Sequence, residues 1–316
     1  MVQKQKSKPA NIKDNMNSKI TPQSPYATFP LSRYASLLGS QTLGLGFTLG
    51  MLPRTIVLQN ELAKLFSTQD DMSKSSQDHP QHPFLEPLTE SPARTLFWVC
   101  VGSFILIAWN AGSLRAWNAA TKGEQEGSPS AQDSKKLSES EKTLFGTTIK
   151  TPPTPAKLLA LKDALAATTF AFPVLLGLIM LFGAPLRSHL ISTSFLALLM
   201  AVLTVWTPAF TFGLPGFSST LVDQERRQRW IDTFVEFSVR SPVDRAVVFP
   251  ALGAIIGCWL GALPMPLDWD RPWQAWPLTS AYMAVVGHVV GAGTSLAVSV
   301  AQFLLIEAEL EKRSEQ

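Results

Sequence analysis

His189 to Phe212 reads HLISTSFLALLMAVLTVWTPAFTF, with no Asp, Glu, Lys or Arg inside it. About 20 such residues, rising about 1.5 Å each as helix, cross the hydrocarbon core of a bilayer. Five further runs have the same character: Leu31 to Leu52, Ala93 to Leu114, Asp163 to Phe182, Ala246 to Leu263 and Leu278 to Ile306. The pattern predicts an all-α polytopic membrane protein with six transmembrane helices. Membrane strands are excluded because continuous apolar runs lack the alternation a barrel requires. The sixth run is long enough to tilt or to continue as helix beyond the bilayer.

Composition agrees. The 316 residues are 46% hydrophobic and only 16% charged, below the quarter or so usual in soluble domains. Mean hydropathy is +0.13 even though the first 30 residues and Arg115 to Lys157 are polar. A soluble enzyme, a disordered chain and a nucleic-acid binder are therefore excluded. Two cysteines cannot build a disulfide framework.

The net charge of +3 matters less than where the 27 basic residues fall. Six crossings divide the polar segments into two groups. The N-terminal tail, the 115–162 loop, the 213–245 loop and the C-terminal tail hold 21 of the 27; Arg54, Lys64, Lys74, Arg94, Arg187 and Arg271 form the other group. The positive-inside rule then sets both termini in the cytosol. The polar N-terminus is too long, and its first apolar run too extended, for a cleavable signal.

The expected organisation is a polar cytosolic tail (1–30), two spans joined by a lumenal loop (31–114), a cytosolic loop (115–162), a four-helix region (163–306) and a short tail (307–316). Thr121 to Pro155, rich in Ser, Pro, Lys and Glu, reads as disordered, and Asp70 to Pro92 as irregular. No internal repeat is evident.

The densest feature is Leu263 to Pro277, LPMPLDWDRPWQAWP, on the lumenal side between spans five and six. Trp269, Trp273 and Trp276 are spaced for one face of a short helical turn, with Asp270 to cap it and Pro272 tolerated in its first turn. The plain reading is an aromatic anchor at the membrane boundary. The sharper one is a platform for a lipid headgroup or a partner subunit, with Arg271 offering a fork to phosphate.

Other candidates carry less. Asp268 and Asp270 have a spacing that divalent metals use with nucleotide phosphates, but the loop offers few further oxygens. His79 and His82 lie at i, i+3, yet Pro80 and Pro83 oppose a helix there. His288 is the titratable side chain deep in a span; with Gly287, Gly291 and Gly293 around it, close helix packing with one buried polar contact is the preferred account over a proton relay. Cys100 and Cys258 read as buried free thiols. No phosphate-binding Gly loop, nucleophile elbow or HExxH motif is present. No lumenal segment exceeds about 40 residues, too short for a catalytic domain.

Gly257 to Pro277, GCWLGALPMPLDWDRPWQAWP, resembles the hallmark segment of the PIG-F family of glycosylphosphatidylinositol (GPI) anchor biosynthesis proteins, and Leu181 to Pro185, LFGAP, is similar to that family too. The likeness covers roughly residues 160 to 305. It implies a multispanning protein of the endoplasmic reticulum that stabilises the large ethanolamine phosphate transferase acting on the mannoses of the GPI precursor. Catalysis and its metal would belong to that partner, and no catalytic residue, metal or cofactor is expected in this chain. Pro264, Pro266, Asp268, Trp269, Asp270, Arg271, Pro272, Trp273, Trp276 and Pro277 then form a loop for partner or lipid. Gly183, Pro185, Gly257, Gly261, Gly287, His288 and Gly291 are expected to pack helices. The alternative is a lipid or headgroup transporter with His288, Asn110 and Thr207 lining its path; spans without a buried carboxylate or Arg count against it. An intramembrane enzyme rests on Asp268, Asp270 and Arg271 alone.

Overall fold

The computed structural model describes residues 29–54, 84–125, 154–185, 188–216, 219–267, 269 and 271–314, and these contain helices and turns with no strand among them. We number the helices α1 (Leu31–Gly50), α2 (Pro92–Gln125), α3 (Thr154–Leu181), α4 (Leu190–Phe212), α5 (Leu221–Trp230), α6 (Pro242–Leu260) and α7 (Leu278–Ser314). Five of them are long and apolar enough to cross a membrane: α2, α3, α4, α6 and α7.

Where the sequence predicts six crossings, α1 falls short of that apolarity because Ser, Gly, Thr and Gln interrupt its leucines. Its buried stripe is nevertheless regular. Tyr34, Leu38, Gln41, Leu45 and Thr48 recur at helical spacing and face α2 and α7, so the polar side chains turn into the protein.

Several boundaries move outward from their expected positions. The polar continuation of α2 through Gln125, rich in Ala, Lys and Glu, is helical, and α3 begins at Thr154. Helix therefore covers the described edges of the loop expected to be disordered, while 126–153 lies outside the described residues. A single turn, Glu86–Thr89, likewise occupies part of the segment expected to be irregular. The start of α6 moves upstream for a visible reason. Ser241 Oγ accepts from the Asp244 N–H at 3.0 Å, Asp244 returns a carboxylate oxygen to the Ser241 N–H at 3.1 Å, and Pro242 fills the first helical position, a capping box.

Helix α4 lies innermost, with 67% of its most apolar window buried, against 17% for α3. Trp206 on α4 is almost wholly enclosed, its ring 4.7 Å from that of Phe104 on α2. The Val202–Trp206 turn of α4 is π-helical, and Pro208 just beyond it cannot donate to the Thr204 carbonyl; a wider turn absorbs that lost bond. Outward apolar residues such as Phe170, Leu181 and Phe182 are exposed, as expected of surfaces that meet lipid.

Among the described residues, α6 and α7 approach each other backbone to backbone. A Cβ added to Gly253 would stand 2.1 Å from the carbonyl oxygen of Gly287, and one on Gly287 would stand 2.1 Å from that of Gly253. A Cβ on Gly257 would likewise stand 2.0 Å from the Met283 carbonyl oxygen, one on Gly261 2.5 Å from that of Thr279, and one on Gly291 2.2 Å from that of Phe249. Backbone thus lies on backbone over two helical turns, which only glycine permits. A Cβ on Gly293, expected beside them, would meet nothing within 4 Å among the described residues.

Gly183 is a correction. Among the described residues no atom lies within 4 Å of a Cβ placed there, so it packs against none of their helices. Its φ of +101° instead ends α3: the Gly183 N–H bonds the Met180 carbonyl at 3.1 Å and the Ala184 N–H bonds that of Ile179 at 3.2 Å, a Schellman closure. Pro185, next after Ala184, is half-buried and prevents the helix from resuming.

Gly257→Val should lower thermal stability in detergent by roughly 3 kcal/mol, because the added methyls must separate two backbones. Gly293→Val should change it by less than about 1 kcal/mol. Equal melting temperatures for the two variants would contradict the packing described.

Candidate functional site

The α6–α7 hairpin carries the tryptophan loop at its tip. Pro264, Pro266, Pro272 and Pro277 deny the backbone their donors, so turns at Ala262, Leu263 and Met265 close the loop's first part. Gln274 holds the rest. Its Nε2 donates to the carbonyls of Pro264 (2.7 Å) and Leu267 (2.8 Å), and its Oε1 accepts from the Arg271 N–H at 2.8 Å. One side chain thus ties both halves of the loop around the short 3₁₀ turn Pro272–Gln274. The residue preceding that turn is Arg271, where Asp270 is the expected cap.

The three indoles do not share a face. Trp269 and Trp273 pair with ring centres 5.7 Å apart, and Trp269 is 49% exposed. Trp276 turns the other way: its Nε1–H donates to Thr193 Oγ1 at the start of α4, 2.9 Å away, and its ring packs against the main core. A continuous helical turn would have aligned all three; here, among the described residues of the loop, only the 3₁₀ turn Pro272–Gln274 is helical. Arg271 is exposed, and Asp268 and Asp270 lie outside the described residues, as do His79 and His82.

A second cluster lies inside the bundle. Asn110 Nδ2 on α2 donates to Gln41 Oε1 on α1, and Gln41 Nε2 lies 3.4 Å from His288 Nε2 on α7. Nearby, Tyr34 OH donates to Ser295 Oγ at 3.3 Å. His288 is therefore a buried polar bridge beside Gly287 and Gly291. Gln41 belongs to no motif, and its place on the stripe Tyr34, Leu38, Leu45 is the signal that finds it.

The two ends of the bundle differ in kind. At one end Trp276 meets Thr193, Tyr282 OH donates to the Leu49 carbonyl at 2.8 Å, and Arg54 stacks 4.3 Å over Phe84. At the other, Arg229 donates to Asp244 at 2.6 Å and to Asn118 at 3.3 Å, Arg115 donates to the Phe210 carbonyl at 2.8 Å, and Arg226 stands 3.9 Å from Asp163. Within α6 itself, Asp244 and Arg245 are 7% and 2% exposed, and Arg245 Nε donates to Ser299 Oγ at 3.0 Å. The expectation of spans without a buried carboxylate or Arg is therefore corrected: the capping box draws both residues into the helix and the surrounding chain encloses them. Cys100 and Cys258 are free, Cys100 Sγ facing the Phe195 carbonyl at 3.2 Å.

Over residues 82–296 the chain matches the family described as GPI biosynthesis protein family Pig-F. It is 35% identical over 141 residues to glycosylphosphatidylinositol anchor biosynthesis protein 11 of Yarrowia lipolytica, covering 45% of this chain and 56% of that protein. The protein of the same name from Aspergillus fumigatus is 40% identical over 138 residues, 44% of this chain and 40% of the relative. The human GPI ethanolamine phosphate transferase, stabilizing subunit, is 31% identical over 122 residues, 39% of this chain and 49% of the relative. The matched stretch thus spans about half the length of these relatives. No solved structure matches.

Replacing Gln274 by Leu should leave two loop carbonyls without their donor, a loss of about 1 kcal/mol. Limited proteolysis should then cut between Leu263 and Pro277 roughly fivefold faster. An unchanged cleavage rate would remove Gln274 from its role as the tie.

Proposed function

The chain belongs to the GPI biosynthesis protein family Pig-F, and from this we propose that it is a non-catalytic membrane subunit supporting the addition of ethanolamine phosphate to the mannoses of the GPI precursor. The observation that carries the reading is the family match across residues 82–296, joined by a relative that bears the name of a stabilizing subunit. The partner is a large ethanolamine phosphate transferase carrying the chemistry; the setting is the endoplasmic reticulum membrane, with its lipids and the GPI precursor alongside.

In this reading α1 is the sixth crossing and both termini are cytosolic. Support comes from the two unlike ends of the bundle. The loops that the charge distribution groups together meet at one end, where Arg115, Arg226, Arg229 and Arg245 gather, and an arginine-rich end belongs on the cytosolic face. The tryptophan loop then faces the lumen. Its Trp269–Trp273 pair, with Trp269 exposed and Trp273 half-buried beside exposed Arg271, forms the contact surface, because tryptophan and arginine are the residue types that dominate interface energies.

One observation favours the transporter reading: Asn110, Thr207 and His288 line a common cavity. Its room of about 10 Å³ suits a water and no headgroup, so the subunit reading is preferred.

Trp269→Ala combined with Trp273→Ala should leave the chain inserted and folded. Co-purification of the large transferase from mild detergent should fall about 30-fold, as expected for loss of an interface anchor worth about 2 kcal/mol. Full recovery of the transferase with the double variant would refute the loop as its contact.

A further inference from the structure

The cavity between α1, α2, α4, α6 and α7 is lined by Tyr34, Gln41, Asn110, Thr207, Pro250 and His288, together with apolar neighbours that include Ala246. The amide orientations around it give one consistent assignment of donors. Asn110 Nδ2 gives its proton to Gln41 Oε1, so the Gln41 Nε2 amino group is the one facing His288 Nε2. An amino group only donates, so His288 Nε2 must be the bare ring nitrogen and the proton sits on Nδ1.

That Nδ1–H has no partner among the described residues, and neither has Asn110 Oδ1; the two residues are 4% and 9% exposed. One is a donor and the other an acceptor. Pro250 adds a second acceptor, because it cannot supply the N–H that the Ala246 carbonyl would receive in an uninterrupted helix. Both Pro250 and Ala246 line the cavity, whose room for a water centre is about 10 Å³. A buried water needs about that much space and typically makes about three hydrogen bonds.

We propose that this cavity is a binding site for a single structural water, which accepts from His288 Nδ1–H and donates to Asn110 Oδ1 and to the Ala246 carbonyl. The water completes a polar junction between α1, α2, α6 and α7 in the apolar interior. It accounts for a histidine held where a hydrocarbon side chain would otherwise be expected: the ring gives one nitrogen to Gln41 and the other to the water. The inference stands independently of the subunit function.

The test uses the full-length chain, labelled with 15N-histidine and reconstituted into phosphatidylcholine vesicles, with magic-angle-spinning NMR of magnetisation transfer from water protons to the imidazoles. The chain has four histidines; loss of one signal set in His288→Asn identifies His288, and exposed His189 serves as the hydrated reference. The expected result is a neutral His288 protonated on Nδ1, with transfer from water to that nitrogen and none to Nε2. Asn110→Leu should abolish most of the transfer while the Nδ1–H form persists. A proton on Nε2, or an Nδ1–H that receives nothing from water while His189 does, would overturn the proposal. The wild-type spectrum alone decides this even where a variant fails to fold.

Discussion

Two helix backbones in direct contact set the rest of this structure. Gly253 and Gly257 on α6, with Gly261 just past its end, meet Gly287, Gly291 and the Met283 and Thr279 carbonyls on α7 at distances that leave no space for a side chain. In a bilayer, where burying apolar surface yields little because lipid is equally apolar, such close approach and the dispersion contacts it brings are a main source of helix association. The pair therefore acts as one rigid hairpin. Its tip presents the tryptophan loop at a fixed height, and its opposite end carries the Ser241–Asp244 cap and buried Arg245.

Polar contacts supply what apolar packing cannot. Helix α1 joins the bundle through Tyr34–Ser295 and Gln41–His288, with Asn110 of α2 completing the chain of bonds. Hydrogen bonds between membrane helices are individually modest, about 0.6 kcal/mol on average. Their value here is in direction, because they fix which face of a weakly hydrophobic helix turns inward. At the basic end, Arg229 joins α5 to α6 and to Asn118 of α2, and its guanidinium lies 4.8 Å over the Phe212 ring at the end of α4. A polar surface helix with no buried residue of its own is thereby held to the bundle.

The candidate loop shows where reading by periodicity stops. Spacings of four and three set Trp269, Trp273 and Trp276 on one face only if the helix is continuous. Four prolines limit the backbone to short turns, and the loop is organised by Gln274, whose amide spans two carbonyls and one N–H. Nothing local distinguishes that glutamine from a solvated one. Trp276 is withdrawn from the group because Thr193, 83 residues earlier in the chain, offers its hydroxyl. In the same way Gly183 sits in a recognisable motif yet serves as a helix terminator, a role that only its positive φ reveals.

Taken alone, the amino-acid sequence determined the all-helical membrane class, the location of the five strongly apolar helices and the division of loops into a basic and a less basic group. These follow from run length and charge count, which are local quantities. It also marked Gly257, Gly261, Gly287, His288 and Gly291 as residues for close helix approach. Tertiary structure decided which glycines touch, which indole turns inward, that Asp244 and Arg245 are enclosed, and that α1 belongs to the bundle despite its low apolarity. Each of those outcomes depends on a partner distant in sequence. A side chain's value in a membrane is set by what faces it across a helix interface, and no window along the chain contains that information.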